Sequence, residues 1–574
     1  MNIEKLLIGL PNTMNDALNA SITMIRSGRE RELLQILSKS KNQPYTNLLK
    51  AQILTAGNMH KEALSLLTDL EGKFNKNPSI TLELAKQYLK LGLIDEANIK
   101  ASELISINER DPISWITKAT CQQMAGENDE AMSTIELGLL RAGGHPKLTY
   151  AMAQLQRQQN LYKEAIKNFE KAIALGIKDI NCYKNLADCH CNLNNPDKAV
   201  SEITKGLDVF KDNIELHKLL IKIQIEYSTS LKPYNKIENA ISKSADPTPL
   251  ITLLARHHAR DKAWSKTAML LRGRNSLVSA NPELRFLEIQ SAHEDKVNNL
   301  NKEALDNLIA ERPKDLSLHQ EYGRMLLESG YIKEAEEIFK SALRIYPNDF
   351  ICTGYLESCW RLLKSQESKW LCDYEKMISI IDFKEQASTP RIKGIDEYIS
   401  TIKKIHNTKC APHDQTVKGG TQSNGHLFKN HPDDLNALEL HLKNLIFQSI
   451  SKFPSVEGHP FWSTASRIKQ ASDLEFSGAW SIILRNEGFH TNHIHPQGWM
   501  SAVLYLKVPS EISDTSTFGH IQFGKPLGID LPPQRTIRPK PGRLITFPSY
   551  MWHGTIPFES TDERIAIAFD IIPK

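Results

Sequence analysis

The stretch Tyr322–Pro347, YGRMLLESGYIKEAEEIFKSALRIYP, decides the fold of the first two thirds of the chain. Its telling positions are Tyr322-Gly323, Gly330-Tyr331, Lys333-Glu334-Ala335, Phe339, Ala342 and Pro347. Ala335 lies 8 × 34 = 272 residues beyond Ala63. From Ala63 onward, Ala97, Ala131, Ala165 and Ala199 follow at steps of 34 residues. Four of these five alanines follow a glutamate (Glu62, Glu96, Glu130 and Glu164), and the last follows Lys198. Twelve residues upstream of each stands another alanine: Ala51, Ala85, Ala119, Ala153 and Ala187. Pro78, Pro112 and Pro146 keep the same step. Chance does not hold two columns in register over five units and a third over three of them. Small residues recurring in each of two helices let an antiparallel pair approach closely, and the next pair stacks on it. Prolines at the unit boundary end one helix and start the next.

This spacing resembles the tetratricopeptide repeat. The resemblance implies an α-solenoid from roughly residue 15 to 365. Residues 1–45 read as a helical segment or degenerate repeat, 46–215 as five repeats, 216–312 as degenerate helical repeats and 313–365 as a further repeat. The expected role of such an array is to hold a protein or peptide in its concave groove. Two other clusters read as packing or surface. Cys182, Cys189, His190 and Cys191 fall where small buried helix residues are expected, which sets aside a metal site. His257-His258, beside Arg256 and Arg260, reads as a solvated helix face.

Composition sets the bounds. At ~150 residues per domain, 574 residues make roughly four domains unless a repeat stretches one of them. Lys and Arg number 71 against 67 Asp and Glu, a formal charge of +4, which argues against a large nucleic-acid-binding surface. The 40% hydrophobic and 24% charged fractions are those of a globular chain. No apolar run approaches the ~20 residues of a membrane span, so no membrane association is expected. Eight cysteines in so long a chain make no disulfide framework, and no cleavable apolar leader follows the first charges. The expectation is a cytoplasmic protein.

After residue 400 the character changes. Eleven of the 19 histidines lie there, and the 34-residue period is gone. Residues 366–470 read as helices and loops leading into a last domain, 471–574, and include the turn-rich stretch His413–Gln422. Short β-type runs follow: Trp480–Leu484, Ser501–Val508, Arg543–Phe547 and Arg564–Ile572. Gly/Pro turns separate them, which points to a sandwich or jelly roll and not to a parallel sheet. The chemistry lies in Gly488-Phe489-His490-Thr491-Asn492-His493-Ile494-His495-Pro496. On an extended backbone residues i and i+2 share a face, so His493 and His495 can present two imidazoles to one point. His490 has the opposite parity. His553 follows a later strand and turn, and Arg564 comes eleven residues after it.

Two close ligands, a distant third and a cation beyond it resemble the iron(II)/2-oxoglutarate oxygenases. Gly488, five residues before the first candidate ligand, matches prolyl-hydroxylase-like members. Ser501–Leu506 resembles their following strand, whose tyrosine, here Tyr505, often contacts 2-oxoglutarate. Gly419-Gly420-Thr421-Gln422, His493-x-His495-Pro496 and Phe547-Pro548-Ser549 are similar to a family of such oxygenases fused behind tetratricopeptide repeats. The resemblance implies an α + β multidomain chain: an N-terminal α-solenoid followed by a C-terminal double-stranded β-helix (jelly roll). It assigns His493, His495 and His553 to Fe(II), and Arg564 and Tyr505 to the 2-oxoglutarate co-substrate. Dioxygen would convert that co-substrate to succinate and CO₂ while a substrate is hydroxylated.

Two positions depart from the pattern. His495 stands where the family carries Asp or Glu, so the site lacks one negative charge. Three outcomes stay open: an active three-histidine site, a two-histidine site with His495 behind the metal, or an inactive site. Asp530 and Asp570 are candidate substitute carboxylates. The second departure is Arg564-Ile565-Ala566, where Arg-x-Ser is usual. The leading expectation is a hydroxylase of a protein or peptide held by the repeats. The alternatives are a non-catalytic repeat scaffold and a hydroxylase of a small metabolite.

Overall fold

The structure, a computed structural model, describes residues 3–39, 43–295, 299–382, 394–406, 415–423 and 425–574. It divides into two compact units, Met1–Phe210 and Lys211–Lys574. In the first unit the 34-residue step becomes helix pairs. Gln43–Ala56, Pro78–Lys90, Pro112–Met124, Pro146–Gln158 and Ile180–Asn192 are the first helices. Their partners are His60–Lys73, Ile94–Ile107, Asn128–Arg141, Tyr162–Ala174 and Pro196–Val209. Both alanine columns are buried throughout, because a larger side chain would push the paired backbones apart. Pro78, Pro112 and Pro146 each open a first helix behind a capping Asn77, Asp111 or His145. Cys182 and Cys189 are buried within these pairs, and burial pushes both thiols up to about 12, which suits packing and not metal binding.

The second unit begins with less regular helices. Asn235–Ile241, Trp264–Leu271 and Asn275–Ala280 are too short to carry both columns, which explains why the period is lost over 216–312. His257 and His258 are buried, contrary to the solvated face expected. Tyr234 packs edge-on against His258 at 5.1 Å, and the Tyr234 hydroxyl donates to Asp261. The pair Leu316–Glu328 and Ile332–Ile345 then restores the repeat, and the helix Phe350–Leu362 packs on it.

Among the described residues nine strands follow: β1 (Ser379–Asp382), β2 (Val417–Gln422), β3 (Leu474–His490), β4 (Met500–Lys507), β5 (Ile521–Phe523), β6 (Arg535–Ile537), β7 (Arg543–Pro548), β8 (His553–Thr555) and β9 (Arg564–Pro573). They form a sheet in the order β1-β7-β4-β9-β3-β2 and a smaller one in the order β6-β5-β8, and every pairing is antiparallel. The stretch 366–470 is more than helices and loops, since β1 and β2 arise within it and close both edges of the larger sheet. His413 and Asp414 lie outside the described residues, but Val417–Gln422, read as turn, is strand. Its glycines mislead because Gly419, at φ +64°, makes a bulge inside the pairing with β3 and not a turn. The helix Pro432–Ile450 covers the sheet with Leu435, Leu438, Leu442 and Ile446, a stripe at helical spacing. Among the described residues no helix is long and apolar enough to cross a membrane.

The helix Phe350–Leu362 belongs as much to the sheets as to the repeats. A Cβ on Gly354 would stand 2.2 Å from Ile494 Cδ1 and 2.8 Å from the Tyr550 carbonyl, so only glycine lets the helix this close. Tyr355 packs edge-on against Trp552 at 4.7 Å and stacks on Phe339 at 5.3 Å. Arg361 donates to the carbonyls of Gly524 and Pro532. Repeat core and sheet loops thus share one hydrophobic cluster.

Candidate metal centre and anion site

The three histidines expected to act together meet in space. One ring nitrogen from each of His493, His495 and His553 lies within 4.8 Å of the others, and no other such cluster occurs among the described residues. His493 and His495 sit just beyond β3 on a still extended backbone, so their shared face is kept while Ile494 points the other way, into the repeat core. His553 opens β8. Its backbone and that of His493 exchange two hydrogen bonds, His493 N–H to the His553 carbonyl at 2.9 Å and the reverse at 3.1 Å. The His495 N–H donates to the Ser549 carbonyl at 3.0 Å. Backbone pairing between two distant loops therefore sets the triad.

Each ring is also held from behind. The Nδ1–H of His493 donates to the Thr491 carbonyl at 2.7 Å, and that of His553 to the Met551 carbonyl at 3.0 Å. The Nδ1–H of His495 donates to Asp570 Oδ2 at 2.9 Å. A neutral imidazole carries one N–H, so with Nδ1 donating the Nε2 lone pairs are left to converge. His493 Nε2 and His495 Nε2 are 3.0 Å apart. That is the separation of two nitrogens each ~2.1 Å from one ion and at right angles about it. Burial, reinforced by the neighbouring His495, lowers His493 to about 3 and holds His553 well below the usual imidazole range. Both rings are neutral, hence able to ligate, near pH 7. Trp480 stacks on His495 at 5.5 Å, and Phe547 packs against His553 at 4.5 Å, fixing ring orientation.

His490 stays outside the triad, as its parity leads one to expect. It accepts from or donates to Thr416 Oγ1 at 3.1 Å and stacks beside His493 at 5.8 Å. Gly488 earns its place through backbone approach, since a Cβ there would meet the Gly419 carbonyl at 2.7 Å and the Arg485 carbonyl at 2.6 Å.

The triad lies in a cavity of about 340 Å³ between the two sheets, and Arg564 and Tyr505 line the same cavity. Arg564 is 4% exposed, donates to the Gly519 carbonyl at 2.8 Å and to the Tyr505 hydroxyl at 3.1 Å, and makes no ion pair among the described residues. The acids beside it in sequence are taken elsewhere: Asp562 by Lys507 and Glu563 by Lys403. A buried guanidinium without a counter-anion is a site for one. Register explains the grouping. Tyr505 pairs with Ala566 and Val503 with Ala568, so Arg564, Ala566, Ala568 and Asp570 all face the cavity from β9, with the alanines leaving its floor open. Asp530 is exposed and lies off the cavity.

Residues 478–570 match the family described as "Putative 2OG-Fe(II) oxygenase", and residues 147–175 and 316–349 match the tetratricopeptide repeat. The chain joins tetratricopeptide repeats to a domain of that oxygenase family. No curated protein matches it. Among solved structures it is similar to a thermophilic tetratricopeptide-repeat protein of Thermus thermophilus, at 16% identity over 32% of this chain and 99% of that one, with a TM-score of 0.28. A tetratricopeptide-repeat protein from Parabacteroides merdae gives 16% identity over 44% and 99% of the respective chains and a TM-score of 0.28. Within the oxygenase domain, Trp480 and the His495–Asp570 contact went unread in the sequence. The signal was there: Asp570 has the strand parity of Arg564, which faces the same cavity.

Proposed function

We propose that the chain is an Fe(II)- and 2-oxoglutarate-dependent oxygenase that hydroxylates a protein or peptide recruited by its repeats. The observation that carries this reading is one cavity holding three convergent imidazole nitrogens and a buried arginine without a counter-anion. The donor set fits the metal: neutral imidazoles bind Fe(II), and three ligands leave positions for a chelating co-substrate and dioxygen. Bound there, Fe(II) and 2-oxoglutarate supply oxidative decarboxylation to succinate and CO₂, coupled to insertion of the other oxygen atom of O₂ into a substrate C–H bond.

His493, His495 and His553 hold the metal, each fixed by its Nδ1 hydrogen bond. Arg564 grips the far carboxylate of 2-oxoglutarate through charge-assisted hydrogen bonds, and Tyr505 completes that grip. Burial raises the Tyr505 phenol, so it remains a hydroxyl able to donate. Trp480, Ile482 and Leu484 wall the cavity and exclude water from the reacting groups. An intact ring of lone pairs favours this reading over a degenerate domain kept as scaffold. Recruitment by the repeats rests on their match to a repeat whose arrays bind proteins.

Anaerobic titration of the full chain with Fe(II) and then 2-oxoglutarate tests the cofactor site. A visible metal-to-ligand charge-transfer band is expected in the wild type, lost in His553→Ala and in Arg564→Ala at the same co-substrate concentration. No band in the wild type would overturn the oxygenase reading.

A further inference from the structure

Where iron(II)/2-oxoglutarate oxygenases usually carry a carboxylate ligand this chain has His495, yet a carboxylate stands directly behind that ring. Asp570 Oδ1 and Oδ2 lie 2.8 and 2.9 Å from His495 Nδ1. Ser501 Oγ donates to Oδ1 at 2.7 Å, and Ser549 lies 2.8 Å from Ser501, so the serine pair is oriented toward the carboxylate. Asp570 is 8% exposed, and among the described residues no lysine or arginine pairs with it. A buried carboxylate with no cation beside it is costly unless positive charge reaches it another way. The His495 ring offers that route, because a cation on Nε2 draws charge across the imidazole and strengthens the Nδ1–H bond to Asp570.

Resting on the metal-centre reading above, we infer that Asp570 is a positioning residue that gives this three-histidine centre, through His495, the anionic charge that iron(II)/2-oxoglutarate oxygenases usually carry on a direct ligand. The centre is then not a bare three-imidazole site. Its carboxylate is set one ring further out. β9 makes this available by placing Arg564 and Asp570 on one face six residues apart, the first beside Tyr505 and the second opposite Ser501. One strand thus presents the anchor for the co-substrate at one end and the charge behind the metal at the other.

The test is an anaerobic titration of the full chain with Co(II), read by its ligand-field absorption, and with Fe(II) in competition. Asp570→Asn preserves size and hydrogen bonding but removes the charge. It is expected to weaken metal binding by about 10- to 100-fold and to shift the Co(II) spectrum. Adding His495→Asp to Asp570→Asn moves the carboxylate onto the metal and should recover most of that loss. Wild-type affinity and spectrum in Asp570→Asn would overturn the inference and leave the metal centre standing. A wild type that binds no metal would overturn both. If Asp570→Asn folds poorly, shown by the melting curve of the metal-free chain, Ser501→Ala is measured instead, which removes the hydrogen bond that orients the carboxylate but leaves Asp570 in place. Weaker metal binding with a shifted Co(II) spectrum supports the inference, and wild-type affinity and spectrum overturn it.

Discussion

On the proposed function, Arg564 is the residue on which co-substrate binding turns. Its two protein hydrogen bonds go to a carbonyl and a phenol, neither of which offsets its charge. Losing one partner of a buried charge-assisted pair costs about 2–5 kcal/mol, so Arg564→Ala should raise the 2-oxoglutarate Kd by at least ~30-fold, measured by the charge-transfer band. Arg564→Lys should recover little, because an ammonium cannot reproduce the planar fork. A second residue sets a pH dependence away from the site. Glu357 is 1% exposed, with Tyr374 and Cys372 beside it and Arg361 Nε 3.8 Å off. Burial pushes its carboxyl up to about 7 against the pull of Arg361. Between the ordinary carboxyl value and about 7, the folded chain keeps a proton that the unfolded chain has lost. The stability this group contributes is full below that window and falls as pH rises through it. Glu357→Gln should flatten the slope and stabilise the chain at pH ~8, by up to about 3 kcal/mol, read from urea midpoints at several pH values.

The helix Phe350–Leu362 is the element that joins repeat and site. Ile494, between two candidate ligands, and Trp552, next to the third, both insert into its cluster. The loops that carry the candidate ligands are therefore braced by a repeat helix on the side away from the histidine cluster. Ile494→Ala should cost about 2–5 kcal/mol and also loosen the metal centre, seen as weaker Co(II) binding together with a lower Tm. Gly354→Val, which touches no ligand, should do the same, since its side chain would meet the Tyr550 backbone. A fall in Tm with unchanged metal affinity in both variants would show that the brace holds the fold but not the site.

At the scale of the whole molecule, the position of a truncation decides what it tests. A chain cut after residue 365 would lose Tyr355 from Trp552 and Arg361 from Gly524 and Pro532, so it should not fold. A cut at Phe210 falls between the compact units and keeps every residue named in the site. The 211–574 piece should keep the 2-oxoglutarate band within about twofold in affinity. If the first unit recruits the substrate, turnover of the protein substrate should drop tenfold or more. A small metabolite substrate would be turned over equally by both forms.

Much of this was legible in the sequence because it is local. The alanine and proline columns repeat at a fixed step, and each helix pair buries its own column whatever surrounds it. The parity of His493 and His495 needs only an extended backbone, and Tyr505 and Arg564 lie on strands whose apolar runs are plain. The tertiary structure decided the rest, because the rest depends on contacts between distant parts of the chain. Val417–Gln422 is strand only because β3 offers it an edge to pair with. His257 and His258 are buried only because neighbouring helices cover them. His495 meets Asp570, 75 residues away, through strand register and loop pairing that no periodicity encodes. Sequence patterns report which face a residue occupies, and only the packed chain determines what that face meets.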